Sequence, residues 1–324
     1  MSGGPATSGA PPVVLAVVGA TATGKSDVAV GLCEALGGEA VNADSMQLYE
    51  GMDVGTAKLT VRERRGVPHH LLDVWPVTRP AAVAEYQELA RAAFADVAGR
   101  GRLPVLVGGS GLYVRAALDD LRFPGTDPDV RARLSAEAEE VGAPAMHERL
   151  RRVDPAAAAA ILPGNVRRVV RALEVVEITG RPFSAAMPEP GARARAVPAV
   201  VLGLRRERPD VDRRIAERVD RMWRDGLVDE VRSLRERGLA EGPTASRAVG
   251  YAQVLELLAG RTGDDEAREA TVRATRRLVR RQESWFGADP DVLWLDVAAD
   301  DTAAALTERA RALVVPRLRE RMGA

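Results

Sequence analysis

The chain has 324 residues, with 46 basic and 46 acidic side chains, formal net charge zero, 46% hydrophobic and 4% aromatic residues. That composition excludes a disordered chain, a collagen-like chain and a disulfide scaffold, and the length supports one large domain plus a smaller one. The single cysteine, Cys33, has no partner for a disulfide and reads as a small buried hydrophobe.

The N-terminal stretch 1–12 is rich in Ser, Gly, Ala and Pro and reads as a disordered leader. No apolar run approaches the ~20 residues a membrane helix needs, so the expectation is a cytoplasmic protein without a membrane span. Val13 to Val18 is a continuous apolar run rich in β-branched residues, as in a buried parallel strand. It leads into Gly19-Ala20-Thr21-Ala22-Thr23-Gly24-Lys25-Ser26, which matches the phosphate-loop pattern G-x-x-x-x-G-K-[ST]. Asp27 to Leu36 follows at helical spacing and Gly37-Gly38 stops it. Strand, glycine loop and helix N-terminus together aim backbone N–H groups at an anion. Lys25 would neutralise phosphate charge, and the Ser26 hydroxyl would hold Mg²⁺.

Lysine is rare here: Lys25 and Lys58 are the only two, against 44 arginines. Both lie in glycine-containing motifs, where a compact ammonium serves and a planar fork does not. Glu39 to Ala43 reads as a second strand, ending at Asp44, where ligands of doubly wound sheets sit. Asp44 is open to three readings: a Mg²⁺ ligand, a general base, or a turn cap. Gly51 to Lys58 suits polyanion contact or a surface turn. Leu103 to Val107 is a further strand, running into Gly108-Gly109-Ser110-Gly111. The alternation of strands and helices over the first 118 or so residues predicts a P-loop NTPase-like α/β core, a parallel sheet flanked by helices, and the core is taken as 13–120 together with 197–324, which adds C-terminal helices. No strand ends in adjacent acidic residues, which argues against a motor ATPase.

From 121 to 196 the pattern turns helical and alanine-rich and lacks strand runs. His147 to Arg181 holds seven arginines against four acids, and Arg167 and Arg171 share a helix face. Pro188 to Pro198 reads as a linker into a strand at Ala199 to Leu204. The remainder reads as helical, with five arginines against one acid from Ala270 to Phe286. A basic helix beside aromatics suits phosphate contact and base stacking, although Trp285 and Phe286 read first as core anchors. His69 and His70 are candidates for RNA contact or for capping a turn.

Taken together, the blocks resemble the tRNA dimethylallyltransferase (isopentenyltransferase) family. They are Gly19–Ser26, Asp44–Tyr49, Gly51–Lys58, Pro68–Asp73, Val107–Tyr113, Asn165–Glu174, Thr179–Pro182, Arg214-Ile215, Arg218–Met222, Gly226-Leu227, Glu230-Val231, Arg247–Tyr251, Arg281-Gln282 and Trp285-Phe286. Ala20, Thr23 and Leu59 depart from the residues common in the family, without removing a charge or hydroxyl.

The resemblance implies transfer of a dimethylallyl group from dimethylallyl diphosphate to N6 of the adenosine 3′ of the anticodon. Diphosphate is released, and the loop binds this group rather than serving ATP hydrolysis. It implies Asp44 as general base, Ser110 as a positioning hydroxyl and Arg218 as the stabiliser of the leaving group. Gly19, Ala20, Thr21, Ala22, Thr23, Gly24, Lys25 and Ser26 would hold diphosphate, with Mg²⁺ at Ser26. Contacts to tRNA would come from Asp44, Ser45, Met46, Gln47, Arg131, Asn165, Val166, Arg167, Arg168, Val169, Arg247, Gly250 and Tyr251, and the resemblance makes 121–196 a helical insertion domain that clamps the anticodon stem-loop. A monomer is expected. The competing readings are a small-molecule or nucleotide kinase and a non-catalytic RNA-binding P-loop protein.

Overall fold

The computed structural model describes residues 11–186 and 194–323. Most of the leader and residues 187–193 of the linker lie outside them. By its contacts the chain forms two compact units, one of residues up to Leu118 and from Arg195 onward, the other of Asp119–Ala194.

The larger unit is an α/β sandwich. Its elements are β1 (Val14–Gly19), α1 (Lys25–Leu36), β2 (Gly38–Asn42), β3 (His69–His70), α2 (Val83–Gly99), β4 (Leu103–Gly108) and α3 (Gly111–Leu118). The smaller unit contributes α4 (Pro128–Val153), α5 (Pro155–Ala160) and α6 (Val166–Thr179). The larger unit resumes with β5 (Ala199–Arg206), α7 (Arg208–Arg224), α8 (Leu227–Glu236), α9 (Tyr251–Leu258), α10 (Asp264–Gly287), β6 (Val292–Val297) and α11 (Ala303–Met322).

The six strands are parallel, in the order β3-β2-β4-β1-β5-β6. β1 lies inside the sheet, which is why its residues 14–19 are apolar or glycine and fully buried. Pairing of Val18 with Gly108 and of Gly19 with Leu204 brings the C-terminal ends of β4, β1 and β5 level. Gly19 is required there: its φ is 137°, and a Cβ would stand 2.6 Å from the Leu204 carbonyl oxygen. One face of the sheet packs on α1 and α11 through Leu15, Val17, Leu32, Val200 and Leu306, and Cys33 lies in this core. Burial pushes the Cys33 thiol up to about 12.

Two strands differ from the sequence reading. β3 is only two residues long and is defined by its pairing with Ala40 and Val41. β6 interrupts a C-terminal third that reads as helical throughout, and completes the sheet beside β5.

The smaller unit is helical, with a core of Leu134, Met146, Leu150, Ile161, Val169 and Leu173. Gly142 and Pro144 break α4 into two helical stretches. Glu174 is fully buried within it, bonded by Arg131 at 2.7 Å, Arg171 at 2.9 Å and the Asp127 amide at 3.0 Å. These donors hold its carboxyl below the usual range against the cost of burial.

Candidate active site at the C-terminal sheet edge

Three cavities adjoin along the C-terminal edge of the strands, in the larger unit. The first, ~370 Å³, is walled by Asp44, Ser110 and Arg218, and by Met222, Leu278 and Trp285 among others. A ~60 Å³ cavity shares Asp44 and Arg218 with it and adds Lys25, Ser26 and His69. The third, ~590 Å³, shares Lys25, Ser26 and Arg218 and opens past Arg214 and Arg221. Phosphate loop, carboxylate and apolar wall thus lie along one channel.

The phosphate loop is held from behind by its carbonyls and one amide. Arg206, buried beside Asp210, donates to Thr23 O at 3.3 Å, and Arg214 donates to Ala22 O at 2.9 Å. Gln282 accepts from the Thr21 amide at 2.9 Å. Thr23 Oγ1 and Lys25 Nζ both donate to Ala20 O, at 2.8 and 2.7 Å. Burial pulls the Lys25 ammonium down to about 8, with Asp44 opposing the shift and Arg218 adding to it. Burial also lowers Arg218 from its ordinary value, again opposed by Asp44. Arg218 donates to Thr56 O at 3.2 Å.

Asp44 is aimed by the turn beyond β2. Asn42 Oδ1 accepts from the Asp44 amide at 2.8 Å, and Asn42 Nδ2 donates to the Asp44 and Leu71 carbonyls, both at 3.0 Å. Asp44 Oδ1 accepts from the Met46 amide at 2.9 Å, and no side chain donates to this carboxylate among the described residues. Ser110, ahead of α3, accepts from the Ser45 amide at 3.1 Å and meets Ser45 Oγ at 3.2 Å. It therefore ties the end of β4 to the segment carrying Asp44.

The remaining candidates fall in several places. Ser45, Met46, Gln47 and Arg247 line these cavities. Arg167 and Arg168 are exposed on α6. Asn165 caps α6, its Oδ1 accepting from the Arg168 amide at 3.3 Å, and Val166 packs against the smaller unit's core. Val169 and Tyr251 are fully buried and, as they stand, offer no surface to RNA. Gly250 is also buried, and its amide donates to Gln253 Oε1 at 2.8 Å. Arg131 is committed to Glu174.

Two sequence readings change. Lys58 is not poised for a polyanion, because its ammonium is spent on Tyr49 O at 3.1 Å, Asp53 at 2.6 Å and Asp73 at 2.5 Å. Trp285 is 41% exposed and walls the first cavity, whereas Phe286 is a core anchor at 3%. His70 pairs with Glu39 at 2.7 Å, and His69 Nδ1 lies 2.8 Å from Val67 O, its imidazole pushed down by burial.

Some structural supports carry no assigned role in the sequence reading. Glu230 accepts from the amides of Asp53, Val54 and Gly55 at 3.1, 2.7 and 3.2 Å, and from the Tyr251 hydroxyl at 2.5 Å. Gln282 and Arg206 are others; Arg214, Glu230 and Gln282 do fall within the blocks that carry the resemblance, which was their one available signal.

A family model described as IPP transferase matches residues 47–289. A tRNA dimethylallyltransferase of Thermobifida fusca is 62% identical over 306 residues, covering 93% of this chain and 94% of that protein. One from Kineococcus radiotolerans is 63% identical over 288 residues, covering 87% and 90%. The crystal structure of a full-length tRNA isopentenylpyrophosphate transferase from Bacillus halodurans aligns with TM-score 0.70 and 38% identity, covering 97% of this chain and 98% of that one. With the family match spanning most of the chain and relatives this similar over nearly all of it, the chain belongs to the IPP transferase family.

Proposed function

We propose that this enzyme transfers a dimethylallyl group from dimethylallyl diphosphate to N6 of the adenosine 3′ of the anticodon in tRNA, releasing diphosphate. The observation that carries this reading is the shared channel: Asp44 and Arg218 line both the apolar-walled cavity and the small cavity holding Lys25 and Ser26. In the reaction the N6–C1 bond forms and the C1–O bond to diphosphate breaks. Asp44, which is close enough to shift the Lys25 ammonium, takes the N6 proton. Charge gathers on the departing diphosphate, where Lys25, Arg218 and the phosphate-loop amides stabilise it with no reorganisation. Met222, Leu278 and Trp285 keep water from the allylic carbon. The adenine leaves its stack to enter.

Magnesium suits the donors present. Ser26 lies in the first turn of α1, and its side chain and Asp44 line the same ~60 Å³ cavity, oxygen donors of the kind a small divalent cation takes. When bound, the ion supplies positive charge to the diphosphate oxygens. Arg167 and Arg168 in the helical unit, with Arg247 at the channel mouth, are the proposed phosphate contacts to the anticodon stem-loop, and affinity through them falls with salt. The enzyme is proposed to act as a monomer in the cytoplasm.

The test is incubation with Mg²⁺, dimethylallyl diphosphate and unmodified tRNA, followed by mass analysis of the nucleosides. The expected product is prenylated adenosine, and Asp44→Ala abolishes it with tRNA affinity nearly unchanged. ATP turnover without a mass gain on adenosine would overturn the proposal.

A further inference from the structure

Gln282 sits on α10 at 7% exposure, and both ends of its amide are engaged. Oε1 accepts from the Thr21 amide at 2.9 Å, and Nε2 donates to the Gly109 carbonyl at 3.0 Å. Thr21 belongs to the phosphate loop, and Gly109 precedes Ser110. The helix that carries Gln282 also carries Thr271, Thr275, Leu278, Arg281 and Trp285, one wall of the first cavity. A single primary amide therefore bridges the diphosphate loop, the loop of Ser110 and the cavity wall. The fit is close: a Cβ on Gly109 would stand 2.5 Å from Gln282 Nε2, so the glycine makes room for the amide.

The bridge needs an acceptor and a donor on one planar group. A glutamine has both. An ionised glutamate keeps the acceptor for Thr21 but sets a second oxygen against the Gly109 carbonyl. A protonated glutamate restores the donor.

We infer that Gln282 is a positioning residue for group transfer, fixing the diphosphate loop relative to Ser110 and, through Ser45, to Asp44. The inference rests on the proposed reaction. It predicts loss in the transfer step rather than in tRNA binding, because both ends of the amide are taken up by backbone groups of the two loops. A misplacement of ~1 Å between reacting groups costs on the order of 10²-fold in rate.

The experiment measures prenylation by the full-length protein with an anticodon stem-loop and dimethylallyl diphosphate, from pH 5.5 to 8.5, for wild type, Gln282→Glu and Gln282→Met. Binding of inorganic diphosphate is followed in parallel by calorimetry. Gln282→Met, neutral and of similar size, is expected to lose about 10²-fold in kcat at every pH, with KM for RNA within threefold. Gln282→Glu is expected to match that loss at pH 8.5, its rate relative to wild type rising at least tenfold by pH 5.5 as the donor returns. Its diphosphate affinity follows the same trend whether or not transfer occurs. A near-wild-type methionine variant, a pH-independent ratio for the glutamate variant, or a loss confined to KM for RNA overturns the assignment. Wild-type protein that binds diphosphate but never prenylates sinks the proposed function instead, and the calorimetric trend then decides the bridge alone.

Discussion

Glu230 is the residue whose removal tests how the channel is held together. Its carboxylate accepts from three successive amides, Asp53 to Gly55, and from the Tyr251 hydroxyl. The next residue, Thr56, offers its carbonyl to Arg218 and to Gln47, both at 3.2 Å. Glu230→Ala therefore strips four donors of their acceptor and loosens the anchor of a channel arginine. Hydrogen bonds to a charged group contribute ~1.5–3 kcal/mol each. The Asp53 amide lies at the surface and regains water, while the Tyr251 side chain is fully buried and does not. With that discount the expected net loss is ~2–4 kcal/mol, well below the gross sum for four bonds. The assay is urea unfolding read by tryptophan fluorescence. Trp75, Trp223, Trp285 and Trp294 all lie in the larger unit, so the signal reports that unit alone. In parallel, kcat is expected to fall about tenfold or more as Arg218 loses its fixed carbonyl partner. A stability change under ~0.5 kcal/mol together with kcat within twofold of wild type would refute the linkage from Glu230 to Arg218.

Further outcomes follow from the same geometry. Lys25, lowered to about 8, is charged below that pH and neutral above it, so kcat/KM for the diphosphate donor is expected to fall as pH rises past 8; a profile flat to pH 10 would contradict this. Lys58→Met removes the ammonium shared by the Asp53 and Asp73 carboxylates, which are about half exposed and rehydrate, and leaves the Tyr49 carbonyl without its donor, so the expected cost is ~1–2 kcal/mol in stability. KM for the donor should rise only modestly, whereas a loss confined to donor binding would restore the polyanion role. Phe286→Ala is expected to cost ~3–5 kcal/mol as a core truncation. Its neighbour Trp285→Ala, half-open to the cavity, should cost under ~1 kcal/mol while lowering prenylation at least tenfold, a contrast that paired thermal melts and rate assays resolve.

The parallel sheet was legible wherever a strand is a long apolar run ending in glycine. β1 and β4 carry that pattern because both of their faces are buried. β3 escaped because two histidines have no periodicity, and only pairing with β2 makes them a strand. β6 escaped because its run follows a long basic helix and reads as that helix's continuation. Within the channel, Lys25, Ser26 and Asp44 are legible because each sits in a local motif of glycines or at a strand end. Lys58 misleads for the same reason: a lysine among glycines looks ready for phosphate, and only the folded chain places Asp73 against it. Trp285 and Phe286 are adjacent on a helix, and which one faces the core depends on what packs there.

The span of the bridge between Thr21 and Gln282, 261 residues of chain, has a kinetic consequence. Contacts so distant in sequence close late, since the loop entropy must be overcome before the bond can form. During synthesis the phosphate loop and β1 emerge near the beginning, but the residues that brace Thr21 emerge after most of the chain has been made. A nascent or truncated chain ending before α10 retains the glycine motif and its Arg206 and Arg214 contacts, but lacks the Gln282 brace at Thr21 and one cavity wall. Competence for transfer is therefore coupled to completion of the fold, which keeps half-made protein from engaging RNA productively.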